Sequence, residues 1–206
     1  DQYHQRVLGS NYRMTELQAA LLIGQLDMLP ELSAKRSRAA KRLSQALSSI
    51  EGIQALPVQP AVTRDTIYCY VFQYRPEQQR VGRDLFVAAL DAEGIPCDGR
   101  FYEPVYRSDL FYATPGNSPQ LAIGRDQPVD YSTVHCPVSE RAAYEEAVWL
   151  PQFLLIGDDK DVDQIAESVA KVMQHIDDLA GADPELAGVK AMSRAERPKH
   201  ERQKNY

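Results

Sequence analysis

Asn11-Tyr12-Arg13 stand directly ahead of Thr15-Glu16-Leu17-Gln18, where Thr15 fits a helix N-cap and Gln18 the N3 partner of a capping box. A helix N-terminus presents unpaired N–H groups and a partial positive charge, so it attracts anions. An amide, a phenol and a guanidinium placed there could hold a phosphate. The same three side chains could also simply cap and pair in a solvated loop. Other chemistry-bearing residues carry less. His135 sits in an apolar stretch and reads as a packed core residue, while His175 lies near the end of the last helix, where a cation suits the dipole. Asp158, Asp159, Asp161 and Asp163 resemble a calcium loop only superficially, because its glycine and final Glu are missing; acidic residues at a helix start are the simpler account. No His, Cys or carboxylate group has the spacing of metal ligands, so no metal is expected.

These residues need elements to position them. Apolar residues at helical spacing, Leu17, Ala20, Leu21, Met28, Leu29 and Leu32, predict a helix from Thr15 to about Ile50. Pro30 is expected to kink or split it, and Gly52 to stop it. In its basic, alanine-rich second half, Leu43 and Leu47 point inward. Residues 55–66, with Pro57 and Pro60, read as a connection. Ile67–Tyr74 predicts a strand with Tyr68, Tyr70, Phe72 and Tyr74 on one face and Cys69, Val71 and Gln73 on the other. A second helix spans about Arg83–Glu93, with Leu85, Phe86, Ala89 and Leu90 as its stripe. Gly94-Ile95-Pro96 ends it and starts a short strand. Residues 98–130 carry four prolines and read as an irregular excursion, a feature that is often functional. Ser132–Val138 reads as a strand, Glu140–Glu146 as a short helix and Trp149–Leu150 as a strand start. The last helix covers about Asp161–Asp178, with Val162, Ile165, Val169, Val172, Met173 and Ile176 on one face. Lys190–Tyr206 holds six Lys or Arg against two Glu and no apolar period, and reads as a disordered basic tail.

Composition narrows the class. The 206 residues are 44% hydrophobic and 25% charged, as in ordinary globular proteins. The net charge of −6 argues against a general nucleic-acid footprint. No apolar run reaches the roughly 18 residues of a membrane span. Three widely spaced cysteines, Cys69, Cys97 and Cys136, exclude a disulfide scaffold and suggest a reducing, cytoplasmic setting. The opening residues read as mid-protein, so a longer natural chain is expected.

Gly9-x-Asn11-Tyr12-Arg13-Met14-x-Glu16-x-Gln18-Ala19-Ala20, followed by Gln25-Leu26, resembles the segment after the cofactor lysine in the DegT/DnrJ/EryC1/StrS family of pyridoxal-phosphate-dependent sugar and cyclitol aminotransferases. Gly94-Ile95-Pro96, Tyr102-Glu103-Pro104-Val105-Tyr106, Cys136-Pro137-Val138 and Leu150-Pro151 follow in the order that family shows. The resemblance covers about residues 1–178. Phe101–Phe111 is most similar to members acting on inosose-type ketones.

The resemblance implies an α/β fold: the small C-terminal domain of a fold-type-I transferase, an antiparallel sheet packed with helices, plus the interdomain helix. Residues 1–52 would be the end of the large domain and the long helix, 53–180 the small domain, and 181–206 the tail. It implies pyridoxal 5′-phosphate as cofactor, a homodimer with shared active sites, an amino donor such as glutamate or glutamine, and a keto-sugar or keto-cyclitol as acceptor. Asn11 would reach the cofactor phosphate held by the partner subunit, with Tyr12 and Arg13 beside it. Tyr102, Glu103, Tyr106 and Arg107 would lie on a substrate-side loop. None of Lys35, Lys41, Lys160, Lys171, Lys190, Lys199 and Lys204 stands in the family's lysine context, so no catalytic residue is expected in this chain and the chain alone should be inactive. A sugar dehydratase of the same family and a non-enzymatic dimerisation or binding module stay open as alternatives.

Overall fold

The structure is a computed structural model and describes residues 12–107 and 130–182. Asn11, most of the proline-rich excursion and the basic tail lie outside the described residues.

Helix α1, Glu16–Leu47, opens as its sequence requires. The Thr15 hydroxyl accepts from the Gln18 N–H at 3.3 Å, and the Gln18 side chain accepts from the Thr15 N–H at 2.9 Å. Its 32 residues run about 48 Å at 1.5 Å per residue. Of the kink or split expected at Pro30, the split does not occur: the helix is continuous through that residue. Nor does Gly52 stop it. The helix ends at Leu47, and Gly52, at φ +80°, serves the turn into the first strand instead.

Three strands form one antiparallel sheet in the order β1 (Ile53–Ala55), β2 (Cys69–Tyr74), β3 (Ala147–Pro151). β1 falls partly where the sequence reads as a connection; three residues give too short an alternation to recognise. In β2 the alternation holds: Tyr70, Phe72 and Tyr74 are buried, while Cys69, Val71 and Gln73 are half-buried. Tyr68 precedes the strand and is exposed. β3 pairs with β2 so that Val71 faces Trp149 and Phe72 faces Val148.

The core joins Leu43 and Leu47 of α1, Phe86, Val87 and Leu90 of α2 (Arg83–Ala92), the inner residues of β2 and β3, and Val162, Ile165, Val169 and Val172 of α4 (Asp159–Gln174). Tyr74 stacks on Phe86 with centroids 4.9 Å apart, and its hydroxyl donates to the Val81 carbonyl at 2.5 Å. The Arg42 guanidinium bonds Asp159 and Asp163, fastening α1 to α4 at the surface. Asp158 and Asp161 form the capping box of α4, so the acidic cluster serves a helix start.

Ser132–Val138 is not a strand. Tyr131–Thr133 is a 3-10 turn, and Pro137–Arg141 forms a short helix, α3, followed by a π-helical turn over Ala142–Glu146. The proline at the first helical position and Glu140 in the first turn are helix-start signals, masked in the sequence by the valines of the stretch. The strand expected after Pro96 reduces to a single bridge between Asp98 and Trp149.

Candidate functional site

Two sets of candidate residues are partly described. Tyr12 and Arg13 precede α1 outside any helix or strand, and Tyr12 is 92% exposed. Asn11 lies outside the described residues. The donor types at this helix start suit a phosphate, and the capping box occupies the Gln18 N–H of the first turn.

The second set lies where the chain leaves the β3 edge. Its anchor is Arg83 at the start of α2, which is 2% exposed. Its guanidinium donates to the carbonyls of Gly99 (2.6 Å), Ala147 (2.8 Å) and Tyr144 (2.8 Å) and to the Asp84 carboxylate (2.8 Å). Burial pulls this guanidinium below its ordinary value, and Asp84 opposes that shift. One cation thus ties together the 99–107 loop and the π-helical turn. Gly99 has to be glycine, because a Cβ there would collide with the Arg83 side chain.

Beyond this anchor, Glu140 forms a hub. Its carboxylate accepts from the Tyr106 hydroxyl and from Arg107 at 2.9 Å. The Tyr106 oxygen in turn accepts from the Cys136 N–H at 3.1 Å, and the Arg107 guanidinium lies over the Tyr106 ring at 5.3 Å. His135 reaches the same guanidinium, 3.3 Å from its Nδ1. Hydrogen bonds from Tyr106 and then Arg107 hold the Glu140 carboxyl down to about 2. Desolvation, followed by the bond to Glu140, raises the Tyr106 phenol. Desolvation raises Tyr144 as well, and the charge of Glu103 adds to it.

The four loop residues therefore separate. Tyr106 and Arg107 meet in the hub. Tyr102 turns to the aromatic stack, edge-on to Phe101 and Trp149 with centroids 4.6 and 5.6 Å away, and Glu103 is exposed between the two groups. His135 is not a core residue: its side chain is exposed beside Glu140 and Arg107. Glu140 and Arg83 were missed at the sequence level. Glu140, three residues after Pro137, was the available signal; nothing local marks Arg83 as an anchor, because the carbonyls it binds lie 16 to 64 residues away. A fixed phenol and guanidinium can together bind a hydroxyl-rich or anionic molecule. The four described lysines lie on α1 or α4, and Lys171 is paired with Glu93 at 2.6 Å.

A family model of DegT/DnrJ/EryC1/StrS aminotransferases matches residues 1–170. The chain belongs to that family. A protein of Streptoalloteichus tenebrarius with the provisional name L-glutamine:3-amino-2,3-dideoxy-scyllo-inosose aminotransferase is 42% identical over 184 residues, which cover 87% of this chain and 44% of that protein. A second protein from the same organism, named L-glutamine:2-deoxy-scyllo-inosose aminotransferase, is 32% identical and is matched over 41% of its length. Among solved structures, 3-amino-5-hydroxybenzoic acid synthase aligns over 85% of this chain and 43% of its own, at 26% identity and a TM-score of 0.66. The chain thus spans less than half the length of these relatives. The α/β fold expected from the resemblance is the fold found.

Proposed function

We propose that residues 1–206 serve within a pyridoxal-phosphate-dependent aminotransferase that passes an amino group from glutamine to a keto-cyclitol of the scyllo-inosose type. The observation that carries this reading is the match to relatives named for that reaction, joined to the Glu140 hub, which fixes Tyr106 and Arg107 on the loop assigned to the substrate side. Pyridoxal phosphate supplies the electron sink of transamination when bound. Asn11, Tyr12 and Arg13 would bind its phosphate across a homodimer, an amide donating twice without adding charge and a guanidinium neutralising the anion. The Schiff-base lysine would come from the portion of a family-length chain outside these residues.

In this assignment the loop binds and orients the ketone. Arg107, held by Glu140, offers N–H donors to ring hydroxyls, and Tyr106 sets the position of Arg107 by lying beneath it. Tyr102 and Glu103 would border the same space, Tyr102 with an aromatic wall and Glu103 with an acceptor for a hydroxyl.

The test uses a family-length enzyme carrying residues 1–170 of this chain on the remainder of the S. tenebrarius relative. Glu140→Gln should raise KM for the keto-cyclitol about tenfold, while the glutamine half-reaction keeps its rate. Equal losses in both half-reactions, or no loss in either, would reject the substrate-side assignment.

A further inference from the structure

We propose that Arg83 is a positioning residue for the keto-cyclitol half-reaction: it sets the 99–107 loop against the turn that follows α3, and so fixes Tyr106 and Arg107 on Glu140. The consequence for the ketone rests on the substrate-side assignment made above. The hub is assembled from two segments far apart in the chain. Tyr106 and Arg107 come from the loop, whereas Glu140 comes from α3 and the Cys136 N–H from the residue before it. Arg83, on a third element, holds both segments. Its Nη1 donates to the Gly99 carbonyl at 2.6 Å, at the start of the loop, and to the Ala143 carbonyl at 3.3 Å. Its Nη2 donates to the Tyr144 carbonyl at 2.8 Å. Ala143 and Tyr144 lie in the π-helical turn that directly continues α3.

A second connection runs through the same place. Asp84 accepts from Arg83 Nε on one carboxylate oxygen at 2.8 Å and from Arg100 Nε on the other at 3.3 Å. The Arg100 guanidinium then lies over the Tyr144 ring, 5.9 Å from its centroid. Loop and turn are thus joined by hydrogen bonds and by a cation over a ring, and both connections start from the first two residues of α2. The type of side chain matters for this role. A guanidinium is a planar fork whose donors point in fixed directions, so carbonyls bound to it are fixed relative to one another; an ammonium is a point charge that sets no such geometry. At 2% exposure, Arg83 spends its donors within the protein rather than on water. Gly99 leaves no slack, since a Cβ there would stand 2.5 Å from Arg83 Nε. Glu140 can hold Tyr106 and Arg107 only while the two backbones keep this placement, because a donor and acceptor drawn apart to about 3.6 Å no longer form a hydrogen bond.

The experiment compares hydrogen–deuterium exchange of the full 206-residue chain with that of its Arg83→Lys and Gly99→Ala variants, resolved to single amides. The Cys136 N–H reports the hub, since its acceptor is the Tyr106 oxygen. The Val169 N–H, inside α4, reports the core. Each variant should speed exchange at Cys136 about tenfold or more and leave Val169 within about twofold. Arg83→Lys keeps a charge beside Asp84, and Gly99→Ala keeps Arg83 itself, so a fold lost in one is still tested by the other. In whichever variant keeps Val169 protected, an unchanged Cys136 overturns the proposal. Equal acceleration of both amides in both variants, the mark of a residue that serves only the fold, overturns it too. In the family-length chimera, Arg83→Lys should raise KM for the keto-cyclitol about tenfold with the glutamine half-reaction unchanged. It should add little where Glu140→Gln is already present, since both act through one hub. Additive losses would place Arg83 outside the hub and overturn the proposal. If Glu140→Gln itself leaves KM unmoved, the substrate-side assignment fails, and exchange at Cys136, read without substrate, still decides whether Arg83 positions the hub.

Discussion

Glu16–Leu32 and Ser33–Leu47 are two halves of one continuous helix with similar apolar spacing, yet they meet different surroundings. The second half buries Ser33, Ala39, Ala40, Leu43 and Leu47. The first buries nothing: Leu17, Leu21, Leu22, Ile23, Leu26, Met28 and Leu29 are all exposed. Helical periodicity states that a face is to be covered. It does not state which molecule or segment covers it. An apolar stripe of this length on an isolated surface marks an interaction site, and the matched relatives are more than twice as long as the match.

The comparison predicts opposite results from one chemical change. Leu43→Ala removes a fully buried side chain and should cost about 2–5 kcal/mol of the chain's stability in urea unfolding. Leu21→Ala, at 68% exposure, should stay within about 0.5 kcal/mol. Equal costs would mean that the first half is docked in the isolated chain after all.

A smaller effect concerns what begins that exposed half. In the family-length chimera, Asn11→Ala should weaken cofactor retention by about 1.5–3 kcal/mol, roughly ten- to a hundredfold, through loss of a bond to a charged group. Because the site is read as shared, mixing these subunits with subunits lacking the Schiff-base lysine should return activity. Heterodimers that form but restore nothing would assign Asn11 to its own subunit.

The exposed half should also make the isolated chain associate. Leu21→Glu with Leu26→Glu should shift sedimentation toward the monomer while the unfolding midpoint moves little. Unchanged sedimentation would remove the stripe as the cause.

The last and smallest effect tests the hub, a part that is tied within the chain rather than left open. Glu140 is depressed to about 2 in the folded state, below its unfolded value near 4.5. The carboxylate therefore contributes its stabilisation fully above about pH 4.5. That contribution is lost as pH falls through about 2. A carbon-13 titration of the Glu140 carboxyl should find its midpoint near 2 in the folded chain. A midpoint at the ordinary carboxylate value would mean that Tyr106 and Arg107 do not hold it.

Much of this was legible from residue order. The capping box at Thr15 and Gln18, the alternation of β2, the α2 region and the stripe of α4 all follow from local periodicity and cap chemistry. So did the resemblance behind Asn11, Tyr12 and Arg13, because a motif is itself a local pattern. Failures came where distant parts decided. Pro30 was expected to kink or split α1, and the helix runs on through it without a split. His135 was expected in the core because its neighbours look strand-like; instead the Pro137 helix start and the Glu140 hub set that segment.

The sequence by itself determined which faces are apolar, where helices begin and which family the chain enters, since propensity, caps and motifs act within a few residues. Only the tertiary structure decided that Arg83 would bind carbonyls from two loops, that Tyr106 and Arg107 would converge on Glu140 while Tyr102 turned toward Trp149, and that one half of α1 would find a core while the other did not. Those outcomes depend on contacts between residues tens of positions apart, which exist only once the sheet and helices have closed around a common core.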